Sequence, residues 1–429
     1  MKFRIILFLI SCLPLIYEFV TLSIIDRQRR KPLPEEVRDV YTKERWKSFV
    51  AYKHDSRYTY LLSKAISFLL STFVIFTPFY QWMERLGQGN VYLLVAVTVV
   101  IMETCSLLFS LPVDHYQTFV IENRYGLNKR TEAEFRKDAM VNYVFGMVLA
   151  IALYSLLAFI LTHVSAWTNH FTIGFWPSFL IMGGIALVLV LFVVGASLVS
   201  WYVMRLRYHF VPLEEGELKN KILHLLEGSR KKVRRIEVYD ESKKSTSKNA
   251  FVLKLPIIRT IGIADNFLNE NAEDELLGVL AHEAGHLKHK PSFWNILNRA
   301  MLVVLFGAGL LALRSGASII PLETWLEQQF GLSMMNPVLT FSVLDICTYP
   351  LFKLLEVYRN FVSRTEEYEA DRNAVKEGFG QPLIRTFKTL SSDELVDVNP
   401  ADIIEILEYD HPGMAHRIKA INEAESRLA

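Results

Sequence analysis

The chain has 429 residues, 51% of them hydrophobic, and its 47 basic residues nearly balance 45 acidic ones for a net charge of +2. That balance excludes the broad basic field of a nucleic-acid-binding protein, and a mean hydropathy above zero is unlike an ordinary soluble domain. Three cysteines, Cys12, Cys105 and Cys347, lie in apolar stretches without a C-x-x-C spacing, so neither a disulfide framework nor a thiolate zinc site is expected.

A helix needs about 20 mainly apolar residues to cross a bilayer core. Seven stretches meet that need, near 4–25, 60–80, 91–113, 139–164, 178–204, 293–313 and 335–357. The first could be a cleaved signal, with Leu9-Ile10-Ser11-Cys12 like a lipoprotein box; however, the apolar run continues through Leu22 and no small-x-small site precedes Arg27, so a retained span is expected. Glu103, His163 and Asp345 interrupt the apolar runs, and ionisable groups at such depth usually face a protein interior or a wet cavity. The loops after the first, third, fifth and seventh spans are basic, beginning with Arg27, Arg124, Arg205 and Lys353, whereas the intervening ones hold few Lys or Arg. By the positive-inside rule this places the N-terminus outside and the polar segments 205–292 and 358–429 in the cytosol. The expected organisation is therefore 1–204 with five spans, 205–292 as a cytosolic part, 293–357 with two spans, and 358–429 as a second cytosolic part. Within the first cytosolic part, Glu241–Lys248 is rich in Ser and Lys and reads as a turn or mobile loop.

Two β-rich runs follow, 249–255 and 257–265. Asn249, Ala250 and Phe251 are expected to form an edge strand that pairs with an extended peptide through backbone hydrogen bonds. Residues 272–289 then read as a helix with acidic residues first and basic ones last, as the helix dipole favours. It contains His282-Glu283-Ala284-Gly285-His286. Two histidines four apart share a helix face and can bind one Zn²⁺ through nitrogen. Glu283, beside the first, lies where it can take a proton from metal-activated water. His289, between Lys288 and Lys290, reads as a helix-end residue rather than a ligand.

A catalytic zinc takes three protein ligands and keeps one position open. Glu367 and Asp371 are one helical turn apart in Glu366-Glu367-Tyr368-Glu369-Ala370-Asp371, so Glu367 could ligate while Asp371 orients an imidazole. The alternative for this run is a solvated acidic helix. Near the C-terminus, His411-Pro412-Gly413-Met414-Ala415-His416-Arg417 offers a histidine or arginine to a developing oxyanion, or is a surface loop.

With these elements in view the chain resembles the type I CAAX prenyl proteases, integral-membrane zinc metallopeptidases of the gluzincin type. The resemblance rests on Ala281 to His286, Glu367 to Asp371, and His411-Pro412 with Arg417. It extends to Phe119 to Lys129, Pro212 to Leu218 and Asn249-Ala250-Phe251. It implies a mostly α, polytopic fold: a seven-helix transmembrane barrel around a large chamber, with a cytosolic α+β zinc metallopeptidase domain. It also implies one zinc per chain on His282, His286 and Glu367, with Asn360 and Arg364 supporting the site and His411 and Arg417 assisting at the substrate carbonyl. The substrate would be a peptide or protein, prenylated in this family, met at the lipid bilayer. The compact chain points to a bacterial homologue in an inner membrane rather than the endoplasmic reticulum. Rival readings are a quality-control protease acting on unfolded or membrane proteins, a transporter with structural zinc, and a silent scaffold.

Overall fold

Long apolar runs with few breakers become long helices, and the breakers that do occur mark the joints. The computed structural model describes the chain except residues 170–174, 230–231, 255–257, 289–292, 294–296, 298–319 and 429. The first span is jointed at Cys12, where Pro14 opens a new helix, giving α1 (Lys2–Ser11) and α2 (Leu13–Arg29). Then come α3 (Lys43–Phe76), α4 (Phe79–Gly87), α5 (Val91–Tyr116), α6 (Glu132–Asn169) and α7 (Phe175–Arg207). Side chains start two of these: Thr42 accepts from the Arg45 N–H, and Asn90 from those of Tyr92 and Leu93.

Among the described residues six helices are long and apolar enough to cross a membrane: Lys2–Arg29, Lys43–Phe76, Val91–Glu122, Glu132–Ile160, Phe179–Arg207 and Pro337–Lys376. Six of the seven expected spans overlap them, those near 60–80, 139–164, 178–204 and 335–357 running a few residues past these bounds. The remaining one, near 293–313, falls almost entirely outside the described residues, as does His289. No span has more than 22% of its most apolar stretch buried. A solid bundle would cover its helices on most sides, so these spans form a wall. Glu103 lines two adjoining cavities in that wall, one of about 370 Å³ between α3, α5 and the long helix 337–376, the other of about 460 Å³ between α5 and α6. Asp345 and His163 are exposed, and His163 stacks on Phe159 at 4.1 Å.

The polar half is α+β. Strands β1 (Phe210–Pro212), β2 (Arg235–Tyr239), β3 (Ala250–Lys254) and β4 (Arg259–Ala264) form a sheet in the order β1-β2-β4-β3. β2 and β4 are parallel and the outer pairs antiparallel. Helices α8 (Glu217–Leu225), α9 (Asp265–Glu270) and α10 (Glu273–Lys288) accompany the sheet. After α11 (Ile320–Phe330), α12 (Pro337–Lys376) runs unbroken for 40 residues from the membrane into the polar half. The chain ends in α13 (Gly380–Asp393), α14 (Asp402–Glu408) and α15 (Met414–Ser426).

One core unites this half, and it includes Val37 from the connection between α2 and α3 and Phe49 from the start of α3 as well as Ile263, Leu280, Leu383 and Ile418. Segment 1–204 thus supplies part of the core of the polar half besides its spans. The Glu241–Lys248 segment is not a loose loop. Lys244 is buried against Asp138 of α6 at 2.8 Å, and its neighbours Ser245 and Thr246 bond to the α5–α6 connection at Asn128 and Leu127. At its far end Ser247 donates to Glu394 at 2.8 Å. Its Ser/Lys composition suggested mobility because the acidic partners lie far away in sequence.

Candidate metal centre

The site forms where α10 crosses α12. A Cβ on Gly285 would lie 2.8 Å from the Ala370 Cα and 3.2 Å from its carbonyl oxygen, so only glycine lets the two backbones approach this closely. Asn373 fastens the crossing, its side-chain amide donating to the Ala281 carbonyl at 2.8 Å. Along α10, His282 and His286 fall on the face turned to α12, with ring centroids 4.9 Å apart and planes at 88°. Along α12, Glu367 rises between them: its Oε2 is 3.4 Å from His282 Nε2 and its Oε1 3.2 Å from His286 Nε2. One donor atom from each of the three lies within 4.8 Å of the others.

The donor set is two imidazole nitrogens and a carboxylate oxygen, which suits Zn²⁺. Glu367 Oε2 is buried and accepts no hydrogen bond, although it lies 3.4 Å from both His282 and Arg417. A buried ionised oxygen without a close donor is costly unless cations sit beside it; Arg417 supplies one at 3.4 Å, and an ion held between Glu367 and the two imidazoles would supply a nearer one, so the residues fit a metal ion.

Asp371, one turn beyond Glu367, receives His282 Nδ1 at 2.9 Å, which leaves Nε2 pointing at the shared carboxylate. Arg417 of α15 donates twice to Asp371, from Nε at 2.9 Å and Nη2 at 2.6 Å. Burial disfavours charge on His282, but its hydrogen bond to Asp371 and the Glu367 carboxylate 3.4 Å away outweigh that and raise its pKa to about 9. Burial also opposes the Arg417 charge, and the neighbouring carboxylates Asp371 and Glu367 more than compensate, holding it above its ordinary range.

The other predicted residues fall into three groups. Glu283 is half-buried and has no hydrogen-bond partner among the described residues. His411 comes to the rim of the site, with Nε2 3.5 Å from Glu367 Oε1 and Nδ1 2.8 Å from Asp410, and its side chain is 56% exposed. Arg417 lies deeper, its side chain only 8% exposed and spent on Asp371, so it braces a carboxylate in this arrangement rather than reaching outward. Arg364 donates to the carbonyls of Glu405 and Tyr409 at 2.9 and 2.5 Å, tying down the chain that leads into His411. Asn360 makes a longer contact, 3.4 Å, to the Leu407 carbonyl.

Ala250 and Phe251 begin β3, the sheet's outer strand, with Asn249 just before it. The Ala264 N–H donates to the Asn249 carbonyl, and in the antiparallel register Ala250 faces Ile263. Bonded and non-bonded pairs alternate in such a ladder, so Asn249 and Phe251 bond inward to β4 while Ala250 and Val252 turn their N–H and C=O groups to the open edge. The Phe251 ring covers Gly262 opposite, filling the space a side chain there would need.

Asn373 and Asp410 were not anticipated. Asp410 adjoins His411 and could have been noticed as its partner; Asn373 carries no signal without the crossing that it fastens.

Two family descriptions match adjoining parts of the chain: the CAAX prenyl protease N-terminal region, with five membrane helices, over residues 24–196, and peptidase family M48 over 212–425. A CAAX prenyl protease 1 homolog of Arabidopsis thaliana is 25% identical over 403 residues, covering 91% of this chain and 90% of the relative. The CAAX prenyl protease 1 of Saccharomyces cerevisiae is 27% identical over 333 residues, covering 75% and 70%. In fold, the crystal structure of S. mikatae Ste24p superposes with a TM-score of 0.76 over 98% of this chain and 99% of that one, at 22% identity. None of these names favours the quality-control reading. The plant relative is of nearly the same length, so compactness does not assign a bacterial host.

Proposed function

The chain belongs to peptidase family M48 and is a multi-pass membrane metallopeptidase, and from that premise we propose that it is a zinc endopeptidase removing the C-terminal tripeptide from prenylated CAAX-type peptides. His282, His286 and Glu367 would hold the ion. The observation that carries this reading is their convergence around a buried carboxylate oxygen that accepts no hydrogen bond among the described residues. The prenylated substrate is supported by the names of the relatives, and a cytosolic site by the basic loops on that side.

Bound there, zinc supplies a Lewis acid that polarises the scissile carbonyl and brings water towards neutral ionisation, near pH 7. The remaining work falls to the chain. Glu283, adjacent to His282 and without a hydrogen-bond partner among the described residues, takes the proton of the attacking water and returns it to the leaving amine. Asp371 accepts the Nδ1–H of His282 and so fixes the tautomer whose Nε2 is free to ligate. Arg417 holds Asp371 ionised and in place. His411, exposed beside the ligands, donates from Nε2 to the oxyanion that forms on the substrate carbonyl, and Arg364 with Asn360 fixes the segment that presents it. The open groups of Ala250 and Val252 bind extended substrate as a further strand, reading main chain more than side chains.

The test compares detergent-purified wild type with Glu283→Gln on a farnesylated CAAX peptide, with metal content measured on both. The expected result is one zinc per chain in both and a loss of turnover of at least about a hundredfold in the variant. Full turnover by Glu283→Gln would remove it as the base. A folded wild type without metal would overturn the centre itself, and a wild type that spares the peptide but cuts denatured protein would move the substrate to the quality-control class.

A further inference from the structure

β2 and β4 run parallel, with Arg235 opposite Thr260, and the Arg234 N–H donates to the Arg259 carbonyl at 2.9 Å. The strand starts therefore set Arg234, Arg235 and Arg259 side by side. They meet the end of α7 just where that span leaves its apolar stretch, at Trp201 and Arg205. With Thr260 these residues line a cavity of about 360 Å³ that has no acidic residue among the described residues of its wall. Arg205 is committed: it pairs with Glu237 and lies 4.8 and 4.9 Å over the rings of Trp201 and Phe210. The other three guanidinium groups have no ion pair or side-chain hydrogen bond among the described residues. Glu237, already paired, and Lys219 line the neighbouring cleft together with Arg234 and Arg235.

Backbone pairing thus sets three arginines around one cavity, Arg234 and Arg235 exposed at its mouth, and no acid among the described residues pairs with them. Like charges within about 8 Å repel at physiological salt, and an anion among them removes that cost. Guanidinium forks match the oxygens of a phosphate in pairs. The position narrows the source of that phosphate. Trp201 is an interfacial residue type at the end of the membrane-crossing helix Phe179–Arg207, and Ile258 adds an apolar wall. A molecule reaching this cleft from the bilayer brings its phosphate to the arginines and keeps its acyl chains against the span. We propose that the cleft binds the phosphate of an anionic glycerophospholipid. The site is distinct from the metal centre and does not depend on the peptidase reading.

The test uses the full chain in detergent with dioctanoyl phosphatidic acid as probe and dioctanoyl phosphatidylcholine as reference, read by native mass spectrometry. Wild type retains the anionic lipid in preference to the neutral one. Replacing Arg234, Arg235 and Arg259 together by Ala weakens that retention on the order of a hundredfold, at roughly fivefold per basic residue, while hydrolysis of a soluble peptide is unchanged. The triple Lys variant keeps the charge and loses the paired geometry, and falls between. Equal retention by wild type and the Ala variant overturns the site. If millimolar inorganic phosphate displaces the lipid fully, so that the acyl chains add no affinity, the bilayer source is overturned. Should the Ala variant fail to fold, the Lys variant decides: undiminished retention there overturns the guanidinium geometry.

Discussion

Gly285→Ala adds one methyl group at the crossing of α10 and α12. Its Cβ would meet the Ala370 Cα at 2.8 Å, 0.6 Å short of the 3.4 Å at which ordinary contact begins, and the obstacle is backbone with no rotamer to change. The helices must part by about that much or tilt. Overpacking of this kind costs about 1–3 kcal/mol, and the better helix propensity of Ala returns about 1 kcal/mol, so the net loss of stability is modest. The site suffers more. His282 and His286 ride on one helix and Glu367 on the other, and metal distances tolerate errors of about 0.2 Å. Zinc affinity measured by chelator competition should fall at least about tenfold, and turnover roughly a hundredfold, with the melting temperature lowered only slightly. Gly278→Ala is the control. Its Cβ would press on the Leu383 backbone of α13 at 3.0 Å, away from the ligands; stability drops there and zinc stays. If Gly285→Ala binds zinc as wild type does, the crossing does not set the ligand distances and the reasoning fails.

Asp371→Asn leaves Arg417 buried without its carboxylate; zinc affinity should drop about 10–100-fold and stability by about 3 kcal/mol or more, seen by metal titration and thermal melting. Ala250→Pro removes a donor from the open edge while sparing the bonds to β4, so kcat/KM should fall up to about tenfold with unaltered metal content; an unchanged value would sink the edge-strand role. The metal-free protein has a pH signature. His282 rises from 6.5 to about 9 on folding, so its charge stabilises the metal-free state fully below 6.5, and that contribution is lost as pH climbs through about 9. Zinc must expel the same proton, so its apparent affinity should strengthen by about tenfold per pH unit over that window; a flat titration would show that His282 is not protonated there.

The metal helix was legible because its signals are local: expected at 272–289, it is observed at Glu273–Lys288, with the histidine spacing and the charge order both inside one stretch. The pairing of Glu367 with Asp371 was readable for the same reason, as a single helical turn. Spans were readable from apolar length, although composition could not say that α12 continues from the membrane into the polar half. What escaped depends on partners remote in sequence. Arg417 resembled an oxyanion donor until Asp371 was seen to occupy it. Glu241–Lys248 looked mobile because Asp138 and Glu394 are elsewhere in the chain. The three arginines of the basic cleft come from two strands that only the sheet order brings abreast.

That α10 carries two of the converging side chains and α12 the third also bears on biogenesis. In the order of synthesis the histidines come first, and the carboxylate follows in the helix that begins at Pro337. A nascent chain stalled before that helix has two imidazoles and no complete site. The three side chains can converge only where α10 and α12 cross, so the chain up to Lys288 alone cannot assemble the site.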